Sequence, residues 1–387
     1  MMMMRPDSLS RGAVLRRWLL AFASWLLLCV GPAVAEHDLT AITPLPALER
    51  LDRNSVTVSG LSSGGFFAHQ FHVAYSSLVK GAGIIAGGPY ACAQQVPSWL
   101  QHYPNPRVTI AQTVCSHVWR ERFPAFAFWL PSAPDPEDSV AVIRSEHKRN
   151  AIDPPLNLVR ARVWLWAGGN DKVVPKETAR ALKRVYELMG VAGADITLLE
   201  EDRANHGMPI EQLAGEGKVP ACEVRSPPFL IDCGYDAAKL LLGHLHPDNF
   251  SGAPKVATRT RLIRFDQTEF NGAAEANSSM HRFGYAYVPE RCGVTSDWSG
   301  RCSLHVAFHG CRQSIEAVHD AFYWHGGYNR WAEASNIVVL YPQVAPHSSL
   351  NPDGCWDWWG YTGPDYHRRT GQQMRAVKAM IERLLRN

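Results

Sequence analysis

The run Asn54-Ser55-Val56-Thr57-Val58 leads into Ser59-Gly60-Leu61-Ser62-Ser63-Gly64-Gly65 and then into a helical stretch over residues 66–75. A strand, a tight turn and a helix accept that succession. G-x-S-x-G at such a junction is the pattern of a nucleophile elbow, in which the turn lifts one serine above the edge of a sheet. The turn passes close to its neighbours when small residues stand two positions either side of the serine. Ser62, between Gly60 and Gly64, satisfies this, whereas Ser63 would put Leu61 in one of those positions. Ser62 is therefore the candidate nucleophile. A small-residue turn without chemistry is the alternative, and the weight against it comes from residues further along the chain.

Strand-like and helix-like segments then alternate in the rhythm of a doubly wound, mostly parallel sheet with helices on both faces. Residues 82–86, 163–167 and 196–199 read as strands and 177–189 as an amphipathic helix. Beyond Pro220, residues 235–245 read as a helix, 262–265, 285–288, 304–308 and 337–341 as strands, and 372–385 as a closing helix. Residues 90–153 break the rhythm, with Pro131, Pro134 and Pro136 close together and little periodicity. We expect one α/β domain over residues 36–387, with about 90–160 inserted as a lid or wall over a site, and no repeat or detachable module.

An acid that orients a histidine belongs on a loop just after a strand. Asp171 follows the strand-like 163–167 in Gly168-Gly169-Asn170-Asp171, and His206 follows the next strand in Asn205-His206-Gly207. A carboxylate so placed can lock an imidazole tautomer, and the order Ser, Asp, His is that of the α/β-hydrolases. Taken singly, Asp171 could be a turn or cap residue and His206 one of 16 histidines on a loop. Their joint order makes them the candidate triad with Ser62.

A second constellation comes late. Leu304-His305-Val306-Ala307-Phe308-His309-Gly310-Cys311 is a buried strand running into His-Gly-Cys, similar to the loop that gives a backbone N–H to an oxyanion. In ordinary α/β-hydrolases that loop precedes the nucleophile. Joining the closing helix 372–385 to residues 52–56 would restore the usual order, so the chain reads as a circularly permuted α/β-hydrolase.

Residues 1–35 carry Arg5, Arg11, Arg16 and Arg17, then an apolar run over 18–30, then Ala33-Val34-Ala35. This is the layout of a cleavable secretory signal peptide, its apolar run short for a bilayer span; an uncleaved anchor is the alternative. Its four arginines stand against one aspartate, so removal takes the formal charge from +3 to about zero. Electrostatics then draw the mature chain neither to nucleic acid nor to acidic lipid. Cys29 leaves with the signal, and eight cysteines remain: Cys92, Cys115, Cys222, Cys233, Cys292, Cys302, Cys311 and Cys355. An even number in an exported chain suggests disulfides, although eight cysteines allow about 105 connectivities. Short-range closure favours Cys92 with Cys115, Cys222 with Cys233 and Cys292 with Cys302, leaving Cys311 for Cys355. No zinc-like spacing accompanies them, and no metal site is expected.

The chain resembles the poly(3-hydroxybutyrate) depolymerases of the circularly permuted, single-domain type. The likeness runs through nearly all of the mature chain and rests on Val58 through Gly65, Ala86-Gly87-Gly88-Pro89-Tyr90, Leu304 through Cys311, Gly327-Tyr328-Asn329, Leu340-Tyr341-Pro342-Gln343 and Asn351 through Trp358. It implies Ser62 as nucleophile, Asp171 and His206 as its partners, and the N–H groups of Ser63 and Cys311 as the oxyanion hole. It also implies Trp356 on the wall of the crevice where a polyester lies, tied to the oxyanion loop by a Cys311–Cys355 bridge. The departure from the family pattern lies between Cys92 and Arg160, which is enlarged and carries Trp99, Trp119, Phe123, Phe126, Phe128 and Trp129. Folded over Ser62, that segment would narrow access to soluble oligomers; flared outward, it would offer aromatics to a polymer surface.

The expectation is thus an exported, cofactor-free monomeric serine hydrolase acting on poly(3-hydroxybutyrate) or its oligomers, in the periplasm or outside the cell, without nucleic acid or a stable membrane anchor as partner. A secreted carboxylesterase for small, feruloyl or acetyl esters and a catalytically silent polymer binder are the alternatives.

Overall fold

In the computed structural model the described residues are 41–386, apart from 121–126, 212–217, 272–277 and 348. The expected signal peptide, Cys29, Phe123 and Phe126 lie outside them. Ten strands are present among the described residues. They are β1 Thr57–Leu61, β2 Gly81–Ile85, β3 Arg162–Gly168, β4 Ile196–Glu201, β5 Met208–Ile210, β6 Leu230–Asp232, β7 Leu262–Asp266, β8 Phe283–Tyr287, β9 Ser303–Phe308 and β10 Ile337–Tyr341. Eight form one sheet in the order β4-β3-β2-β1-β9-β10-β8-β7, and β5 pairs with β6 in a small parallel sheet. Pairing from β4 to β10 is parallel; β8 runs antiparallel to both β10 and β7. The fold is a mostly parallel α/β-hydrolase sheet.

β1 sits near the middle of the sheet, flanked by β2 and β9, and is buried along its whole length. It begins later than its β-branched run predicts. Asp52 accepts the Asn54 N–H at 2.9 Å and winds Arg53–Ser55 into a 3-10 turn, so pairing starts at Thr57. Alternation along β1 separates two environments. Val56 and Val58 join Phe67 and Phe71 of α1 (Ser63–Ala74), and Val377 and Ile381 of the closing helix Gln372–Leu384, in the main core. Thr57 and Ser59 meet a polar chain instead. Thr57 Oγ1 lies 2.7 Å from His246 and 2.8 Å from His305, and Ser59 Oγ lies 2.7 Å from His305 and 2.8 Å from the Tyr328 hydroxyl. Helices therefore cover both faces, one contact apolar and the other a hydrogen-bonded network that leaves no buried side-chain polar atom of β1 without a partner.

The segment with little periodicity contains more regular structure than it promises. Asp135 caps a helix, Pro136–Lys148, whose Val140 and Ile143 reach the core. Its moderate apolar stripe was masked by the prolines before it.

Candidate active site

Ser62 stands at the junction of β1 and α1 with φ 56° and ψ −121°, outside the regions ordinary residues prefer. Two hydrogen bonds hold it there: its N–H donates to Ile85 O, and its carbonyl accepts from Phe66 N–H, both at 2.9 Å. The flanking glycines are required by crowding. A Cβ on Gly60 would lie 2.2 Å from Gly64 O, and one on Gly64 would lie 2.3 Å from Phe308 O at the end of β9. The second contact brings the His309-Gly310-Cys311 loop against the turn that carries Ser62.

Asp171 leaves the end of β3 in a turn tied across to the β4 exit: Gly169 N–H donates to Glu201 O at 2.8 Å, and Asn170 N–H to Ala204 O at 3.0 Å. His206 lies on that same exit, before β5, with its N–H bonded to Asn205 Oδ1 at 2.8 Å. The two turns meet so that His206 Nδ1 is 2.7 Å from Asp171 Oδ2. The carboxylate can only accept, so Nδ1 carries the proton and Nε2 is left as the ring's acceptor. Asp171 Oδ1 accepts the N–H groups of Val173 and Val174 at 2.7 and 2.9 Å. The Asp171 side chain is fully buried and that of His206 nearly so.

Ser62 and His206 line one cavity of about 140 Å³, together with Ser63, Gly310 and Cys311. Ser63 occupies the first turn of α1, where an N–H has no partner within the helix. Among the described residues Cys311 N–H also donates to no protein acceptor. The loop is fixed by Gln313, whose Oε1 accepts Gly310 N–H at 2.8 Å and whose Nε2 donates to Pro228 O at 2.8 Å. Two unengaged backbone donors at helix start and loop, beside a serine and an oriented imidazole, suit acyl transfer through an oxyanion.

No family model matches the chain. A poly(3-hydroxybutyrate) depolymerase of Delftia acidovorans is 35% identical over 345 residues, 89% of this chain and 62% of the relative. A polyhydroxybutyrate depolymerase of Talaromyces funiculosus is 31% identical over 366 residues, covering 89% of this chain and 93% of the relative. The chain belongs to the poly(3-hydroxybutyrate) depolymerase family. Two solved structures agree, each with TM-score 0.73 over 89% of this chain and 99% of the other: the depolymerase of Penicillium funiculosum at 31% identity, and a serine-to-alanine depolymerase variant complexed with an R3HB trimer at 29%. This chain thus spans under two thirds of the Delftia depolymerase but nearly all of the fungal ones.

In this depolymerase-family chain the cysteines form four bridges, Cys92–Cys115, Cys222–Cys233, Cys292–Cys302 and Cys311–Cys355. The last ties the Cys311 loop to the segment bearing the tryptophans. Trp356 does not stand on the cavity wall as expected. It is fully buried against the rings of Phe67, Phe308 and His309, and its indole N–H has no partner among the described residues. Trp358 and Trp359 line the cavity instead. Trp358 stacks on Phe66, ring centroids 4.1 Å apart. Asp357 fixes the turn that carries Trp359: its Oδ1 accepts the N–H groups of Trp359, Gly360 and Tyr361, and its Oδ2 the N–H and hydroxyl of Thr362. Burial raises the Asp357 carboxyl, with these hydrogen bonds opposing the shift.

The departing segment is divided in its behaviour. Gln112, Ser116 and Val118 line the cavity, the first of these on the helical stretch that ends at Cys115 and is bridged back to Cys92. Phe128 and Trp129, at 79% and 74% exposed, project to solvent, with Trp99 half-exposed. Sequence reasoning named the aromatics and missed Gln112, because a polar residue in an irregular stretch carries no periodic signal.

Proposed function

We propose that the chain hydrolyses backbone esters of poly(3-hydroxybutyrate) or its oligomers, with Ser62, His206 and Asp171 as the catalytic residues. His206 Nε2 takes the proton of Ser62 Oγ as the oxygen attacks the ester carbonyl, and Asp171 stabilises the imidazolium. The N–H groups of Ser63 and Cys311 receive the oxyanion. The acyl–oxygen bond breaks, His206 returns the proton to the departing hydroxyl, and the 3-hydroxyacyl group remains on Ser62. Water, deprotonated by His206, then attacks that ester; the bond to Ser62 Oγ breaks, His206 returns the proton to Ser62, and the hydroxy acid leaves. Trp358 on Phe66 supplies an apolar wall for the methyl-bearing repeat. The observation that carries the reading is the single cavity shared by Ser62, an Asp171-held His206 and two unengaged backbone donors.

The chain order fits circular permutation, since β9, which carries the candidate oxyanion loop, pairs with β1 although β2 to β8 intervene in sequence. Four disulfides support export to the periplasm or medium. Among the described residues no helix is long and apolar enough to cross a membrane.

The test is release of soluble 3-hydroxybutyrate and oligomers from amorphous polymer by the purified protein, with Ser62→Ala alongside. Release by the unaltered protein alone supports the reading. Hydrolysis of short p-nitrophenyl esters without polymer release would shift it to a small-ester carboxylesterase. The narrow cavity, walled by Gln112, Ser116 and Val118, favours that second reading.

A further inference from the structure

Two guanidiniums rim the Ser62 cavity, and neither belongs to the proposed triad or oxyanion hole. Arg225 and Arg312 line it together with one acid, Asp353. Among the described residues neither arginine has an ion-pair partner. Arg312 is held in place. It follows Cys311 directly, its φ is +58°, its N–H donates to Asp353 O at 2.7 Å, and its guanidinium lies 5.1 Å from the centroid of Phe229, a buried ring on the same cavity. Arg225 sits in the loop closed by Cys222–Cys233. That loop is fastened to both halves of the site. Asn205, next to His206, donates its N–H to Cys222 O at 2.9 Å and its amide to Glu223 O at 3.2 Å, and Gln313 holds the Pro228 carbonyl. The nearby acid Glu223 is taken by Arg203 at 3.2 Å. The rim therefore carries two positive charges against one carboxylate.

We infer that Arg225 and Arg312 bind the terminal carboxylate of a hydroxyalkanoate oligomer, so that the site prefers soluble chains cut at their carboxyl end over the interior of a polymer. The inference rests on the proposed ester hydrolysis. An ester one repeat from the chain end has a carboxylate on its alcohol side, whereas an interior ester has another neutral ester there. Guanidinium forks match a carboxylate in charge and geometry and gain nothing comparable from an ester. Cleavage there breaks the acyl–oxygen bond, leaves the acyl group on Ser62, and frees one 3-hydroxy acid whose hydroxyl takes the proton from His206; water then regenerates Ser62.

The experiment compares kcat/KM for the (R)-3-hydroxybutyrate trimer as free acid and as methyl ester, in the full-length protein and in Arg225→Gln, Arg312→Gln and the double variant. The expected ratio favours the acid by roughly tenfold, mostly through KM, because both arginines are solvent-exposed and screened. It should shrink at high ionic strength, fall to about one in the double variant whatever the absolute rate, and survive in part in Arg312→Lys. A ratio near one in the unaltered protein, or a preference kept by the double variant, overturns the inference while leaving the hydrolase reading standing. Failure to hydrolyse either trimer overturns both.

Discussion

Asp171 holds His206 by one 2.7 Å hydrogen bond to Nδ1, while its other oxygen is occupied by the N–H groups of Val173 and Val174. The carboxylate is thus oriented by its own turn and has one oxygen left for the ring. In Asp171→Asn an amide N–H at that position would turn the ring to the wrong tautomer. Turnover should fall by about 10⁴-fold with little change in KM. Steady-state kinetics on a soluble ester check this; a loss under tenfold would remove Asp171 from the mechanism.

Ser62→Ala should lower turnover by roughly 10⁶-fold if the three residues act as a unit. Ser63→Ala should be mild, because its proposed role belongs to the backbone. The Ser63 hydroxyl accepts Trp356 N–H at 3.3 Å, so that variant should lose about 1 kcal/mol of stability. The reverse ranking in folded proteins would make Ser63 the nucleophile.

Cys311 and Cys355 are 44 residues apart in sequence, and their bridge closes the loop between the oxyanion segment and the tryptophan wall. Replacing both by serine should cost up to about 4 kcal/mol on chain-entropy grounds, and should also lower kcat, since donor position governs what an oxyanion hole contributes. Calorimetry with kinetics tests both parts. An unchanged kcat would separate the bridge from the chemistry.

Buried histidines make stability depend on pH. Desolvation lowers His69 and His72 from 6.5 to about 3, with His69 adding to the shift of His72, and lowers His246 and His309 to about 4. Each is neutral in the folded protein, while in the unfolded chain it titrates near its ordinary value. Between those values the unfolded state binds more protons, so stability present above pH 6.5 drains away as pH falls towards 4. A shift from 6.5 to about 4 corresponds to roughly 3 kcal/mol for one group. Urea midpoints measured from pH 7.5 down to 4.5 should decline steadily, and a flat series would contradict these shifts.

Trp356 and Trp358 should fail in different ways. Trp356→Ala opens a void among Phe67, Phe308 and His309 and should cost about 3–5 kcal/mol of stability. Trp358→Ala removes the ring stacked on Phe66 at the cavity and should mainly raise KM for oligomers. Melting temperature and KM measured on both variants distinguish them. Equal effects on KM would return Trp356 to the wall.

Much of this protein was legible in the sequence because the relevant signals are local. Glycines at the Ser62 turn are dictated by backbone crowding within a few residues, and strands such as β10 appear as apolar runs whose bounds the structure keeps. Asp171 and His206 follow adjacent strands, so a parallel sheet carries both to one edge and the hydrogen bond between them follows from strand order. Other features had no local signal. Cys355-Trp356-Asp357-Trp358 lies in irregular backbone with no period to say which ring faces inward, and packing on Phe67 and Phe308 turned Trp356 into the core while stacking on Phe66 held Trp358 at the cavity. The convergence of Gln112, Arg225 and Arg312 on Ser62 joins a helical turn and two loops far apart in sequence. Disulfides and backbone hydrogen bonds between loops decide that meeting, and those are properties of the folded chain alone.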